Sequence, residues 1–424
     1  MTKEVAEFAY DLHSGLGSVN ITEYDQLPIL GMAATLAVHI KGLGTIEYEV
    51  LRKVSDHFMA ISSHALRQIL EVLEEVEFVR LVTSGRTIEK VIPNIPIFDD
   101  VYLGLGEFAD TEMRMNEHEL ATLSILQALR ESPQNTHSFQ AKSGIDLDIF
   151  RRCLQFGSVA GILSEQKARG KSILISPFYY SDNLDGLADT VAAVGAPALA
   201  SVLSKVKNNQ GWPLSLALST GRIGNSTLSV TETQLLSKLT SEGMIKPPTI
   251  SFGGRMESFV FTPKPGSARL NGANREIYER AMAIVSAVRK GQLLADEYKI
   301  KYPLAILRKL RDQGYLGSNS EARSQYQNLV VMRVAHLKEV SSGRWQLHLN
   351  KTPENEAALD LAIDVLRTGE VSNMEVNQDA KIALSKDETY IQSVVAAAEL
   401  KKRQKDITDP QAFEEYTQLM LKFD

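Results

Sequence analysis

A single cysteine, Cys153, occurs in 424 residues, so the chain can hold no intrachain disulfide and no cysteine-based zinc cluster. Long apolar runs are missing as well. The longest uncharged stretches lie between Asp25 and Lys41 and between Asp189 and Lys205, 15 residues each, short of the roughly 18–20 that span a bilayer. The opening MTKEVAEFAYD has no apolar core of the kind a secretory leader needs. These absences point to a cytoplasmic protein with no membrane contact. What is present is ordinary for a globular chain, with 44% apolar and 23% charged residues. At roughly 150 residues per domain, two to four structural units are expected.

A general excess of positive charge is also lacking, because the net charge is −6. That total hides a gradient. Residues 1–120 carry −11, 121–254 carry +3, 255–351 carry +9 and 352–424 carry −7. A basic block between acidic ends suggests one segment for an anionic partner and other surfaces for other work.

The chain repeats itself. Amphipathic runs end in Gly161-Ile162-Leu163, Gly243-Met244-Ile245 and Gly314-Tyr315-Leu316, and an earlier one in Glu77-Phe78-Val79. The pattern reads as a helix stopped by a left-handed residue before an extended segment. Each stop precedes a turn with glycine and a basic residue: Gly85-Arg86, Gly170-Lys171, Gly253-Gly254-Arg255 and Gly343-Arg344. Each hairpin then closes at Pro93, Pro177, Pro263 or Pro353, spaced by 84, 86 and 90 residues. Hairpins are thus expected near 79–92, 163–176, 246–262 and 328–350. Three helices are expected before each: Pro28–Lys41, Tyr48–His57 and Ser62–Glu77; Asn116–Arg130, Ser138–Lys142 and Asp146–Ala160; Leu187–Val206, Pro213–Leu218 and Thr231–Ser241; and Arg275–Arg289, Leu293–Tyr298 and Pro303–Gln313. Val330–Val340 reads as a strand. Beyond them Thr352, Pro353 and Gly369 frame a further helix, and two more are expected at Asp387–Lys405 and Pro410–Lys422. That tail is a candidate dimerisation arm or a segment that packs back on the array.

Three helices and a hairpin in about 85 residues resemble the winged helix-turn-helix superfamily, over roughly residues 25–350. The expected fold is mainly α with short β-hairpins: tandem winged-helix-like units at 1–110, 111–182, 183–268 and 269–352, then a helical segment at 353–424. Two features depart from the usual pattern, Glu77 in place of glycine and an unclear second helix near Gly221 and Gly224.

Catalytic motifs fail individually. Gly170-Lys171-Ser172 has Glu165 where a phosphate-binding loop needs its first glycine, and it sits at a hairpin tip. Gly15-Leu16-Gly17 and Gly104-Leu105-Gly106 lack the third glycine of a dinucleotide fingerprint. His118 lies between Glu117 and Glu119, but no metal motif surrounds it, and the two acids read as a solvated first helical turn. Cys153 falls on an apolar helical stripe, as a buried hydrophobe does. No enzyme, cofactor or metal site is expected.

The resemblance implies duplex DNA as partner, with the third helix of a unit in the major groove and its hairpin on the backbone. Cations then neutralise phosphates, and Arg or Gln can read base edges. The candidates are Arg151, Arg152, Lys167, Arg169 and Lys171 in the second unit and Gln234, Lys238 and Arg255 in the third. The fourth is richest, with Lys301, Arg308, Lys309, Arg311, Arg323 and Arg344; residues 299–344 carry +6. Glu71, Glu74, Glu75 and Glu77 in the first unit would repel phosphate, which suits a protein contact. The expected function is non-catalytic DNA binding in a regulatory, replication or chromosome-associated role. The alternative is a protein-interaction scaffold, with residues 1–110 or 353–424 facing a partner.

Overall fold

The computed structural model describes residues 2–96, 98–252, 255–265, 272–294, 299–369 and 378–385. Helices dominate, and the strands form small antiparallel sheets. The chain enters through α1 (Thr2–Leu16) and runs into α2 (Leu27–Ile40), β1 (Ile46–Glu47), α3 (Tyr48–Met59) and α4 (Ser63–Glu75). The hairpin β2 (Val79–Ser84) and β3 (Thr87–Pro93) closes this first repeat, and β1 adds to β3. Local chemistry explains the boundaries. The Ser62 side chain accepts from the Ala65 amide to cap α4, and Leu66, Ile69, Leu70 and Leu73 bury one helical face completely.

Next come α5 (Phe98–Glu112), then α6 (Glu117–Glu131), β4 (Gln134–Asn135), α7 (Thr136–Ser143), α8 (Leu147–Val159), β5 (Ser164–Ala168) and β6 (Lys171–Ile175). The second repeat copies the first, with sheet order β4-β6-β5 against β1-β3-β2. The third is α9 (Leu184–Val194), α10 (Ala196–Lys207), β7 (Trp212–Pro213), α11 (Leu214–Thr220), the small β8 (Arg222–Ile223) and β9 (Ser226–Thr227) pair, α12 (Val230–Ser241), β10 (Thr249–Phe252) and β11 (Arg255–Val260). The single helix expected over 187–206 is therefore two. Gly195 takes φ 87°, Pro197 opens α10, and the helices bend by 119°, because proline cannot continue the hydrogen-bond ladder of α9. No single described helix is long and apolar enough to cross a membrane.

The fourth repeat holds the main correction. It consists of α13 (Gly272–Arg289), a 3-10 turn at Lys290–Leu293, α14 (Pro303–Gln313), α15 (Ala322–Val331), β12 (Ala335–Ser341) and β13 (Arg344–Leu349). The short helix expected at Leu293–Tyr298 falls mostly outside the described residues, since 295–298 are not among them. The hairpin forms, but residues 330–331, read as strand, belong to α15, and it is α15 that precedes the hairpin. Gly314 stops α14 at φ 79°, while Arg333, at φ 57°, turns the chain from α15 into β12. Arg333 does what Glu77 (φ 62°) does in the first repeat. In both, the next amide reaches five residues back, Phe78 to Leu73 at 2.8 Å and Val334 to Leu329 at 2.9 Å, as Ile162 does to Gly157 at 2.9 Å. Asn94 and Asn350 then donate their side-chain amides to the carbonyls of Glu77 and Arg333, at 3.3 and 2.9 Å.

The first and third repeats share one continuous core with α1, α5 and part of the second repeat, whose α6 and α8 also enclose a small cluster around Phe150 and Cys153. The fourth builds a second core that takes in Ile250, Phe259 and Phe261 of the third. That second core includes α16 (Pro353–Thr368), which packs on α13 and α14. The chain then comes back to the first repeat, where α17 (Gln378–Leu384) packs on α2 and α3. The helices expected at 387–405 and 410–422 lie outside the described residues. Neither α1 nor α5 was anticipated, though Ala6, Ala9, Leu12 and Leu16 form a buried stripe at helical spacing. Small residues let these helices meet: a Cβ on Gly31 of α2 would overlap the Ala9 carbonyl of α1.

Glu232 shows how caps tie helices together. It closes a capping box with Ser229 at the start of α12 and also takes Lys205 Nζ at 2.5 Å and Ser201 Oγ at 2.7 Å from α10. The Lys205 contact first, then the Ser229 amide and Ser201, pull its carboxyl from 4.5 to about 2. The lowered value means that its contribution is complete above pH 4.5 and fades as pH falls toward 2. Glu232→Gln is expected to cost about 1–2 kcal/mol at pH 7. In urea titrations the gap between variant and wild type should narrow at pH 3; a gap independent of pH would contradict the capping-charge account.

Candidate nucleic-acid interface

The fourth repeat presents its pre-hairpin helix outward. Arg323, Ser324, Gln327 and Val331 of α15 are exposed, because Ala322, Gln325, Tyr326 and Leu329 turn inward. The Arg323 guanidinium lies over the Trp345 ring of β13, 5.1 Å from its centroid, a geometry that holds a cation in place at the surface. At the hairpin tip Gly343 takes φ 70°, and Arg344 beside it donates to the Ser318 carbonyl at 2.7 Å. Lys338 is exposed on β12. None of Arg323, Arg333, Lys338 and Arg344 forms an ion pair among the described residues.

The expectation for α14 is corrected. Leu307 and Leu310 are buried and Arg308, Lys309 and Arg311 exposed, as helical spacing requires. Yet α14 precedes α15 rather than the hairpin, and it packs on α16. Arg311 pairs with Asp312 at 3.0 Å, and its charge is felt by Asp360 of α16. Exposed Glu356 and Asp360 also stand on α16. Lys301 is exposed just ahead of α14.

In the second repeat three of the five candidates, Arg152, Arg169 and Lys171, are engaged within the molecule. Arg152 binds Glu23 at 2.6 Å and stacks 4.5 Å from the Phe156 ring centroid. The β5–β6 hairpin packs on α9: Arg169 is paired with Asp189 at 2.7 Å, and Lys171 donates to the Ala192 carbonyl at 2.8 Å. Arg151 keeps a long contact to Asp148, 3.5 Å, and stays exposed, as does Lys167. In the third repeat Gln234 is exposed, whereas Lys238 lies 3.9 Å from Asp189 and 3.8 Å from Glu242. Asp189 thus gathers cations from two repeats, and the Arg169 hydrogen bond foremost holds its carboxyl below the usual value. Arg255 begins β11, its side chain outside the described part.

Sequence reasoning missed a row of rings on the solvent side of the β12–β13 hairpin. His336 and His348 face each other across the strands, and Tyr315, bridged to His348, extends the row. The histidines do alternate with Leu337, Leu347 and Leu349 on the two strands, which was the available signal. Burial, with the charges of His336 and Lys338 adding to it, pulls His348 below the usual histidine value.

Elsewhere, Glu119 is not the solvated acid expected. It is fully buried, and its Oε1 accepts the amides of Asp25, Gln26 and Leu27 at 2.9, 2.5 and 2.8 Å. Cys153 is buried, its thiol near the His118 carbonyl at 3.5 Å, and burial pushes its pKa up. A cleft of about 800 Å³ opens between α1, α6 and α10, where Glu7 and Arg130 pair at 2.6 Å and Tyr179 donates to Asp11 at 3.1 Å. Among the described residues no three His, Cys, Asp or Glu side chains converge as metal ligands. Compared with known proteins, the chain matches no family model, no curated sequence and no solved structure.

Proposed function

We propose that this chain is a non-catalytic DNA-binding protein built from tandem winged-helix units, acting in regulation, replication or chromosome maintenance. The fourth unit makes the principal contact. The observation that carries this reading is that Arg323 of α15, Lys338 of β12 and Arg344 at the hairpin tip are each exposed and outside any ion pair among the described residues. In a winged helix these positions meet the major groove and the adjoining phosphates. The order of three helices and a hairpin, repeated with the same sheet order in the first two units, supports the winged-helix assignment. The second unit contributes little under this reading, because two of its three hairpin cations, Arg169 and Lys171, are bound to α9.

The first unit serves a different partner. Its α4 exposes Glu71, Glu74 and Glu75 where a DNA reader would carry cations, so a protein contact fits it better.

Fluorescence anisotropy on a labelled duplex tests the proposal. Binding should weaken steeply between about 50 and 200 mM salt, because released counterions drive it. Absence of binding at the low-salt end would discard the DNA reading in favour of the interaction scaffold.

A further inference from the structure

Three rings on the outer face of the fourth hairpin form one column across three chain segments. His336 of β12 and His348 of β13 are directly opposed, their centroids 5.3 Å apart and their planes 16° from parallel. Tyr315, from the connection between α14 and α15, continues the column at 5.6 Å and 30°. The opposite face of the same strands carries Ala335, Leu347 and Leu349 into the core. The rings therefore are not core packing: His336 is exposed and Tyr315 is 43% exposed.

The edges of both imidazoles are held. Gln346 donates its amide to the Leu316 carbonyl at 2.9 Å, which turns its Oε1 to accept from His348 Nε2–H at 2.9 Å. Asn350 donates to the Arg333 carbonyl at 2.9 Å, which turns its Oδ1 to accept from His336 Nδ1–H at 2.7 Å. The rings are thus oriented before any ligand arrives, and the ordering cost of binding is reduced. Cations border the column. Lys338 follows His336 on the same face of β12, and the Lys351 side chain folds over Gly314 next to Tyr315.

We propose that this column stacks an unpaired base of a single-stranded DNA tail, with Lys338 and Lys351 on the flanking phosphates. Flat rings with cations beside them are the chemistry that holds single-stranded nucleic acid without reading its sequence. The inference rests on the DNA-binding reading above and adds a preference: tailed duplex over blunt duplex.

The test compares the full chain on a blunt duplex and on the same duplex with a single-stranded tail. Wild type should bind the tailed probe about ten- to hundredfold more tightly. The double variant His336→Ala with His348→Ala should bind both probes alike, at the wild-type blunt affinity. The ring-keeping double variant His336→Phe with His348→Phe should retain the preference, which separates loss of stacking from loss of fold. Equal wild-type affinity for the two probes, or a preference that survives the alanine pair, overturns the stacking site while leaving duplex binding in place. Failure to bind either probe overturns the DNA reading itself.

Discussion

Glu119→Ala is expected to destabilise the protein by about 3–5 kcal/mol, because it strips the partner from several buried donors at once. The carboxylate sits at the N-terminus of α2, where three amides converge on Oε1, and its Oε2 accepts the Asn116 amide at 2.9 Å as part of the α6 capping box. A helix N-terminus favours an anion through its dipole and its unpaired N–H groups. One side chain therefore ends two helices from different repeats and joins them. Glu119→Gln keeps the shape but puts an amide NH₂ against either the Asn116 N–H or the α2 amides, and should cost about 1–3 kcal/mol. Urea unfolding followed by circular dichroism checks both values. A loss under about 1 kcal/mol for the alanine variant would mean that water replaces the carboxylate at little cost.

The triple variant Arg323→Ala, Lys338→Ala and Arg344→Ala is expected to weaken duplex binding and flatten its salt dependence. Each phosphate contact accounts for about 0.9 in the slope of log affinity against log salt, so losing all three should reduce it by about 2.7. The fold should survive, since all three side chains are exposed; the losses are the Arg323 stack on Trp345, worth about 0.5–1 kcal/mol at such a site, and the Arg344 hydrogen bond to the Ser318 carbonyl, worth about 0.5–1.5 kcal/mol. Arg308→Ala with Lys309→Ala is the matched control. Those cations lie on α14, beside the acidic α16, and their removal should change the slope less. An unaltered slope in the folded triple variant, or a larger change in the control pair, would return the contact to α14. The comparison belongs in the full chain. The first repeat shares its core with the second and third and with α17, so residues 1–120 cut out alone would expose that core.

Much of the local structure was legible. Ser62 and Thr352 cap the helices they were expected to begin, and the glycines at 85, 170 and 343 adopt positive φ at their hairpin tips. These features depend on the backbone preferences of a few neighbouring residues. The error in the fourth repeat came from the same source. Gly314 carries the expected stop signal, whereas Arg333 has no preference for the left-handed region; the Asn350 side chain, bonded to its carbonyl from 17 residues away, supports it there. A motif read on glycine alone finds the first stop and passes over the second.

The sequence by itself determined many of the elements: most of the runs that become helices, the stops marked by glycine, and that a hairpin closes each repeat. It determined also that positive charge gathers between residues 255 and 351. What only the tertiary structure decided is which charges remain available. Arg152 meets Glu23, 129 positions away, Arg169 meets Asp189, and Glu119 meets a helix end that begins 92 residues earlier. Arg323 and Arg344 stay at the surface outside any ion pair among the described residues. Charge is a property of the residue, but whether it faces solvent or an opposite charge depends on which elements pack together. That packing is set by the apolar faces of helices far apart in the chain, where nothing in the local spacing of a cation records it.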